Sequence, residues 1–116
     1  MLEDKAKDLG RTIGQSDEYK AVKRSSEALN GDREATTILR QMEQIRQDAQ
    51  GMIDRGEEPT AEMEQQLDAL LQQVQTNASY QRAISAQDNF DKLMLRVNQM
   101  IADGIRAGAT SQIILG

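Results

Sequence analysis

The 116-residue sequence contains no cysteine, no histidine and no tryptophan, and it has a single proline. Without cysteine it can form neither disulfides nor thiolate-ligated zinc or iron–sulfur sites, and it has no thiol nucleophile. Without histidine it lacks the commonest metal ligand and the usual general base near neutral pH, which excludes Ser-His and Cys-His catalytic pairs. We therefore expect no enzymatic activity, no cofactor and no metal site.

Aromatic residues and long apolar runs are also scarce. Aromatics make up 3% of the chain and apolar residues 38%, so aliphatic side chains, alanine and methionine must build the core. No run approaches the ~20 apolar residues of a membrane-spanning helix, and the amino-terminal MLEDKAKDLG lacks the apolar stretch of a signal peptide. We expect a cytoplasmic protein without a membrane span. The net charge of -5 argues against nucleic acid as a direct ligand.

Gln, Ala, Leu, Glu and Arg are abundant and, together with Met, favour helices, which predicts an all-α fold. Glycine, proline and capping residues divide the chain into about five helices, over 2–13, 17–29, 32–55, 60–77 and 79–105. Gly56 and Pro59 predict a turn between the third and fourth helices. We expect an elongated helical bundle with a long αα-hairpin around Pro59 and a long C-terminal helix. It would form a single domain over 1–105, followed by a flexible tail over 106–116.

The third helix carries apolar residues at heptad spacing, namely Ala35, Ile38, Met42, Ile45, Ala49 and Met52. Because the fourth helix is shorter, it cannot cover this whole seam. We expect one part of the seam to pack within the chain and another part to contact a second polypeptide. The candidate interface residues of the last three helices are Ile38, Met42, Ile45, Met52, Met63, Leu67, Leu70, Phe90, Met94, Val97 and Ile101.

Two charged regions suggest other functions. Acidic residues concentrate over 54–68, where a solvated surface is favoured over a cation site because the acids flank a turn and histidine is absent. The amino-terminal helices carry basic residues, among them Lys20, Lys23 and Arg24, so an RNA-binding accessory protein is one alternative. Acidic residues interrupt this basic region, and only Tyr19 could stack on a base there. A holdase-type chaperone is a further alternative.

Four motifs occur in a set order: SDEYKAV at 16–22, DREA at 32–35, GEEP at 56–59 and YQRAISAQDNFDKLMLRVNQMI at 80–101. In order and spacing they resemble the YlbF/YmcA family of small bacterial helical proteins, over about residues 2–105. The resemblance implies a cytosolic, non-catalytic regulator of competence, sporulation and biofilm formation.

The implied partners are further copies of the chain, related family subunits and a complex that acts on messenger RNA processing by an RNase Y-type endoribonuclease. Some family complexes hold iron–sulfur clusters through cysteines. Because this chain has no cysteine, we expect no such cluster in it.

Overall fold

The computed structural model describes the backbone of residues 1–115 and the side chains of residues 1–109. This part of the chain forms five helices and no strand: α1 (Leu2–Gly14), α2 (Asp17–Asn30), α3 (Arg33–Asp54), α4 (Ala61–Gln75) and α5 (Ala78–Leu115). The predicted all-α class, with about five helices and a hairpin around Pro59, is confirmed.

The last helix differs from the prediction because α5 continues past Ile105 to Leu115. Glycines at 104 and 108 lower helix propensity by about 1 kcal/mol each, but neither stops a helix as proline does. The predicted flexible tail over 106–116 includes residues that lie outside the described side chains, and it stays a prediction.

Side-chain caps begin four of the helices. The Ser16 hydroxyl accepts from the Tyr19 N–H at 3.1 Å and so caps the start of α2. Asp32 accepts from the Ala35 N–H at 3.1 Å, and Thr60 accepts from the Met63 N–H at 3.2 Å. The cap of α5 is Asn77, whose side-chain oxygen accepts from the Tyr80 N–H at 2.9 Å. Its capping role explains why α5 begins slightly earlier than the predicted Ser79.

The turn after α3 has the glycine-based geometry that its sequence predicts. Gly56 has a φ of 80°, which an L side chain rarely adopts. The Glu57 N–H donates to the Met52 carbonyl at 2.8 Å, and the Gly56 N–H donates to the Ile53 carbonyl at 2.9 Å. This pair of bonds is the Schellman motif, which satisfies the last carbonyls of the helix. The chain can then reverse at Pro59 and enter α4.

The chain divides into two compact units, unit 1 (Met1–Val22 and Ala86–Gly116) and unit 2 (Lys23–Ser85). In unit 2 the core consists of Ile38, Met42 and Val74, and the α3–α4 pair has the most extensive helix contacts of the described chain. Leu39, Leu67, Leu70, Leu71 and Tyr80 pack around this core. In unit 1, α2 meets α5 through a tilted ring contact between Tyr19 and Phe90. The assignment of 1–105 to a single domain stays a prediction.

Burial decreases along the heptad seam of α3. Ala35, Ile38 and Met42 are buried, whereas Ile45, Ala49 and Met52 are half-buried. Tyr80, at the start of α5, packs against the buried part of the core. In addition, α4 has 15 residues against 22 in α3, so it is about 10 Å shorter. This difference in length does not explain the lower burial, because Ile45 and Ala49 line a groove together with Met63 and Leu67 and so lie beside α4.

Candidate protein-interaction surfaces

An open apolar groove lies between α3 and α4 beside the turn that joins them. Its α3 side consists of Ile45, Arg46, Ala49, Gln50 and Ile53. Its α4 side consists of Met63, Glu64 and Leu67, and Pro59 lies at the turn. The cavity measures about 320 Å³. We call this surface the hairpin-end groove.

Helical spacing explains how the hairpin-end groove forms. Residues 45, 49 and 53 are four apart, so they share one face of α3, and residues 63 and 67 share a face of α4 in the same way. Ile53, in the last turn of α3, remains 53% exposed. Because the groove is lined by both α3 and α4, the exposed part of Ile53 provides apolar surface that a further helix could cover.

The end of the hairpin is strongly acidic. Residues 54–68 contain six acidic residues and one arginine, and α4 itself has no basic residue. The single arginine, Arg55, already pairs with Glu57 at 3.6 Å. Glu64 lines the groove directly, and Glu58 immediately precedes the lining residue Pro59. The hairpin-end groove is therefore apolar inside and negatively charged at its edge.

A second groove on the hairpin is edged by glutamine. It is lined by Gln41, Gln44 and Ile45 of α3 and by Gln66, Ala69 and Leu70 of α4, and it measures about 470 Å³. Gln44 donates to Asp48 at 3.0 Å along the exposed side of α3. We call it the glutamine groove. It carries no charged lining residue, so its edge differs from that of the hairpin-end groove.

In unit 1, α5 presents an apolar face that becomes more exposed along the helix. Phe90, Leu93, Met94 and Val97 are half-buried. The same face continues with Met100, Ile101 and Ile105, and Met100 and Ile105 are 68% and 67% exposed. We call these last three residues the exposed α5 face. Leu95 lies on the opposite side of the helix, where a single exposed leucine is ordinary.

Helix α1 has a similar apolar face with no buried residue. Leu2, Ala6, Leu9 and Ile13 follow each other at spacings of four, three and four, so they line one side. Leu2 is 78% exposed, and no residue of α1 is buried. A helix of 13 residues is marginal in water without packing. Leu2, Ala6 and Leu9 on this side are exposed, so it is a second apolar surface in unit 1.

The predicted interface residues fall into three groups. Ile38 and Met42 lie inside the chain's own core against Val74, so they offer no surface to a second chain, and the prediction for these two is corrected. Ile45, Met63, Leu67 and Leu70 line the two hairpin grooves. Phe90, Met94, Val97 and Ile101 lie on α5, and Met52 is half-buried near the end of α3. The roles of these remaining nine as interface residues stay predictions.

Sequence reasoning missed several exposed apolar residues. Ile53, Met100 and Ile105 were not among the candidates, although each extends an apolar face that was recognised. The signal was the continuation of the same helical spacing toward the helix end. Leu2 and Leu9 of α1 could have been found by the same spacing.

Ionisable side chains in the described residues form no group of three or more that could hold a metal ion. The carboxylate of Asp32 at the cap of α3 has a shifted pKa. Its pKa lies below the ordinary 3.8 because its carboxylate accepts from the Ala35 N–H and, to a smaller extent, from the Asn77 side chain. This is the electrostatics of a helix cap, and it does not indicate a reactive group.

None of the helices within the described part of the chain combines the length and hydropathy needed to cross a bilayer. A family model described as "Control of competence regulator ComK, YlbF/YmcA" matches residues 2–106. The chain belongs to the YlbF/YmcA family. The resemblance drawn from the four sequence motifs is thus confirmed, and the description of the YlbF/YmcA family names a regulator and no reaction.

The similar curated proteins are bacterial. A UPF0342 protein of Streptococcus sanguinis (strain SK36) is 26% identical over 103 residues, which cover 89% of this chain and 92% of that protein. A UPF0342 protein of Desulfitobacterium hafniense (strain Y51) is 26% identical over 102 residues, covering 88% and 78%. These two alignments extend over nearly the whole chain.

A crystal structure of Bacillus subtilis RicA in complex with RicF has a similar fold. The TM-score is 0.80 at 17% identity, and the alignment covers 93% of this chain and 96% of the other. At that identity the likeness concerns the fold alone. The RicA protein of that structure is bound to a protein partner.

Proposed function

We propose that this protein is a non-enzymatic cytoplasmic regulator that works by binding proteins, including further copies of itself, through apolar helix faces. The observation that carries the proposal is the exposed α5 face, where Met100 and Ile105 are each about two-thirds exposed. Burying one such side chain contributes about 1.5–3 kcal/mol. An amphipathic helix gains this contribution only when another helix covers it.

The occupant we propose for the exposed α5 face is a second copy of the chain. The apolar side of α1 and the exposed α5 face are present in every copy, so two copies double the exposed apolar surface that an association can bury. A two-fold contact uses the same patch on both subunits and closes without further growth. The short α1 would also gain the packing that its length requires.

Sedimentation over a series of micromolar protein concentrations tests self-association. We expect the full chain to associate, and we expect Met100→Ser combined with Ile105→Ser to weaken the association by more than about tenfold, since each buried side chain contributes over 1.4 kcal/mol. The matched control is Leu95→Ser with Gln99→Ser, on the opposite side of α5, which should leave association unchanged. A chain that stays monomeric throughout the series would contradict self-association.

The family regulatory role is the second part of the proposal. Membership in a family of competence regulators supports it, and RicA, a fold relative, is bound to RicF in its crystal structure. We propose that this chain likewise joins related YlbF/YmcA subunits, in a complex that acts through an RNase Y-type endoribonuclease on messenger RNA processing.

Affinity purification with mass spectrometry from the native organism tests this role. Enrichment of a second YlbF/YmcA subunit or of the endoribonuclease is the expected result. A chain that captures neither, at its native abundance, would argue against the regulatory complex. If purified chain instead suppresses aggregation of unrelated proteins, the holdase alternative would replace the adaptor.

A further inference from the structure

The hairpin-end groove has the dimensions of a helix-binding site. Its α3 side extends from Ile45 to Ile53, which is about 12 Å along the axis at 1.5 Å per residue. This length matches about two turns of a helix laid between α3 and α4. Helices that bind in such grooves insert apolar anchors spaced three and four residues apart.

The charge at the edge of the groove limits what can bind there. Glu64 lines the groove, and the adjoining turn carries Asp54, Glu57 and Glu58. The lining arginine, Arg46, already pairs with Glu43 at 3.8 Å. A partner helix with basic residues beside its apolar face would complement this edge, whereas an acidic helix would be repelled.

The same charge disfavours a second copy as the occupant. In a two-fold contact through this groove, each acidic hairpin end would face its own equivalent. Helix α4 offers no basic residue to offset this, and the whole chain carries a net charge of -5. The groove therefore differs from the exposed α5 face, for which we proposed self-association.

We propose that the hairpin-end groove binds a basic amphipathic helix of a different protein. This inference rests on the proposed function, because the basic helix is the kind of partner that the protein-binding regulator would recognise. Ile53, Met63 and Leu67 supply the apolar floor, and Glu64 with the acidic turn selects lysine or arginine at the edge of the bound helix.

A synthetic peptide of about 18 residues, or five helical turns, with leucine on one side and lysine on the other, serves as the probe. Its titration into the full-length, isotope-labelled chain is followed by nuclear magnetic resonance. We expect shift changes concentrated at residues 45–67, and affinity that falls as salt is added. A peptide with glutamate in place of lysine should not bind, and a scrambled peptide without an apolar face should bind much more weakly.

Two variants and their controls locate the site. We expect Ile53→Ser and Glu64→Lys each to weaken peptide binding by about tenfold, through the lost apolar contact and the reversed edge charge respectively. Met100→Ser likewise replaces a large apolar side chain by serine, but outside the groove. Glu27→Lys makes the same charge change as Glu64→Lys, but on α2. Neither control should alter binding.

The outcomes separate this inference from self-association. Shift changes confined to the exposed α5 face, equal binding of the acidic peptide, or variants no weaker than their controls would each overturn the groove assignment. Sedimentation of the same Ile53→Ser and Glu64→Lys proteins should still show self-association. Loss of peptide binding with self-association intact supports the groove, whereas a monomeric chain that still binds the peptide refutes only the proposed self-association.

Discussion

The α3–α4 hairpin of unit 2 and the α1 and α5 helices of unit 1 bury their apolar faces to very different extents. The hairpin encloses Met42 at 2% exposure and Val74 completely, whereas α1 buries no residue. Both regions have amphipathic helices. The difference teaches that amphipathic spacing specifies a helix and its apolar face. The presence of a partner helix decides whether that face becomes core or binding surface.

The largest expected effect comes from truncating one methionine in each region. Met42→Ala should lower the free energy of unfolding by about 2–5 kcal/mol, because it leaves a cavity in the core. Met100→Ala should change it by less than about 0.5 kcal/mol in a monomeric sample, since its side chain is already in water. Urea unfolding followed by circular dichroism, at one fixed protein concentration, measures both. Equal losses would mean that Met100 is buried in solution by another copy.

Helix caps give the next largest effect. Thr60→Ala should lower the free energy of unfolding by about 0.5–2 kcal/mol, because the Met63 N–H loses its acceptor. This loss should not depend on pH. Asp32→Ala should also destabilise the chain at neutral pH, but its effect should diminish in acid. The folded-state pKa of Asp32 is lowered, so its stabilisation is present above 3.8 and is lost as the pH falls through the lower folded value.

Urea unfolding of these two variants and the unsubstituted chain, from neutral pH down to strongly acidic pH, checks the contrast. Thr60→Ala is the internal control, since its hydroxyl does not titrate. A destabilisation by Asp32→Ala that is constant with pH would show that the carboxylate charge contributes nothing at this cap.

Substituting one glycine in each region by alanine tests whether α1 unfolds independently of the hairpin. An added Cβ at Gly10 meets nothing within 4 Å, and at Gly51 it meets only the Arg55 guanidinium at 3.5 Å. Alanine stabilises a helix interior by about 1 kcal/mol over glycine, equivalent to about fivefold slower amide exchange. Gly10→Ala should slow exchange only within α1, whereas Gly51→Ala should raise the unfolding free energy of the hairpin. An equal effect of Gly10→Ala on the hairpin would mean that α1 and α3 unfold together.

The sequence predicted the helices and the hairpin turn well because caps, Gly56 and Pro59 act locally. It predicted Ile38 and Met42 poorly as interface residues, since heptad spacing is identical in the buried and exposed parts of α3. Which part is buried depends on where Val74 and Tyr80 pack against α3, which only the tertiary structure shows. The acidic edge of the hairpin-end groove was visible in the sequence, but its juxtaposition with Ile53 and Met63 required the fold.

The smallest expected effect concerns an ion pair of unit 1 that links two helices. Arg96 lies 3.7 Å from Glu18, joining α5 to the first turn of α2, and both side chains are partly exposed. Such pairs contribute about 0.2–1 kcal/mol and weaken as salt is added. Because Glu18 also faces the positive end of the α2 dipole, Glu18→Gln alone would mix two effects.

A double-mutant cycle with Glu18→Gln and Arg96→Gln isolates the pairwise energy from the dipole effect. We expect a coupling below about 1 kcal/mol that vanishes at high salt. The coupling energy is compared with that of Glu43 and Arg46, which lie 3.8 Å apart within α3. A coupling between these two residues stabilises a single helix and does not link two helices. If the Glu18–Arg96 coupling is zero, this ion pair does not contribute to the attachment of α2 to α5 in unit 1, where the rings of Tyr19 and Phe90 are also in contact with 5.6 Å between their centres.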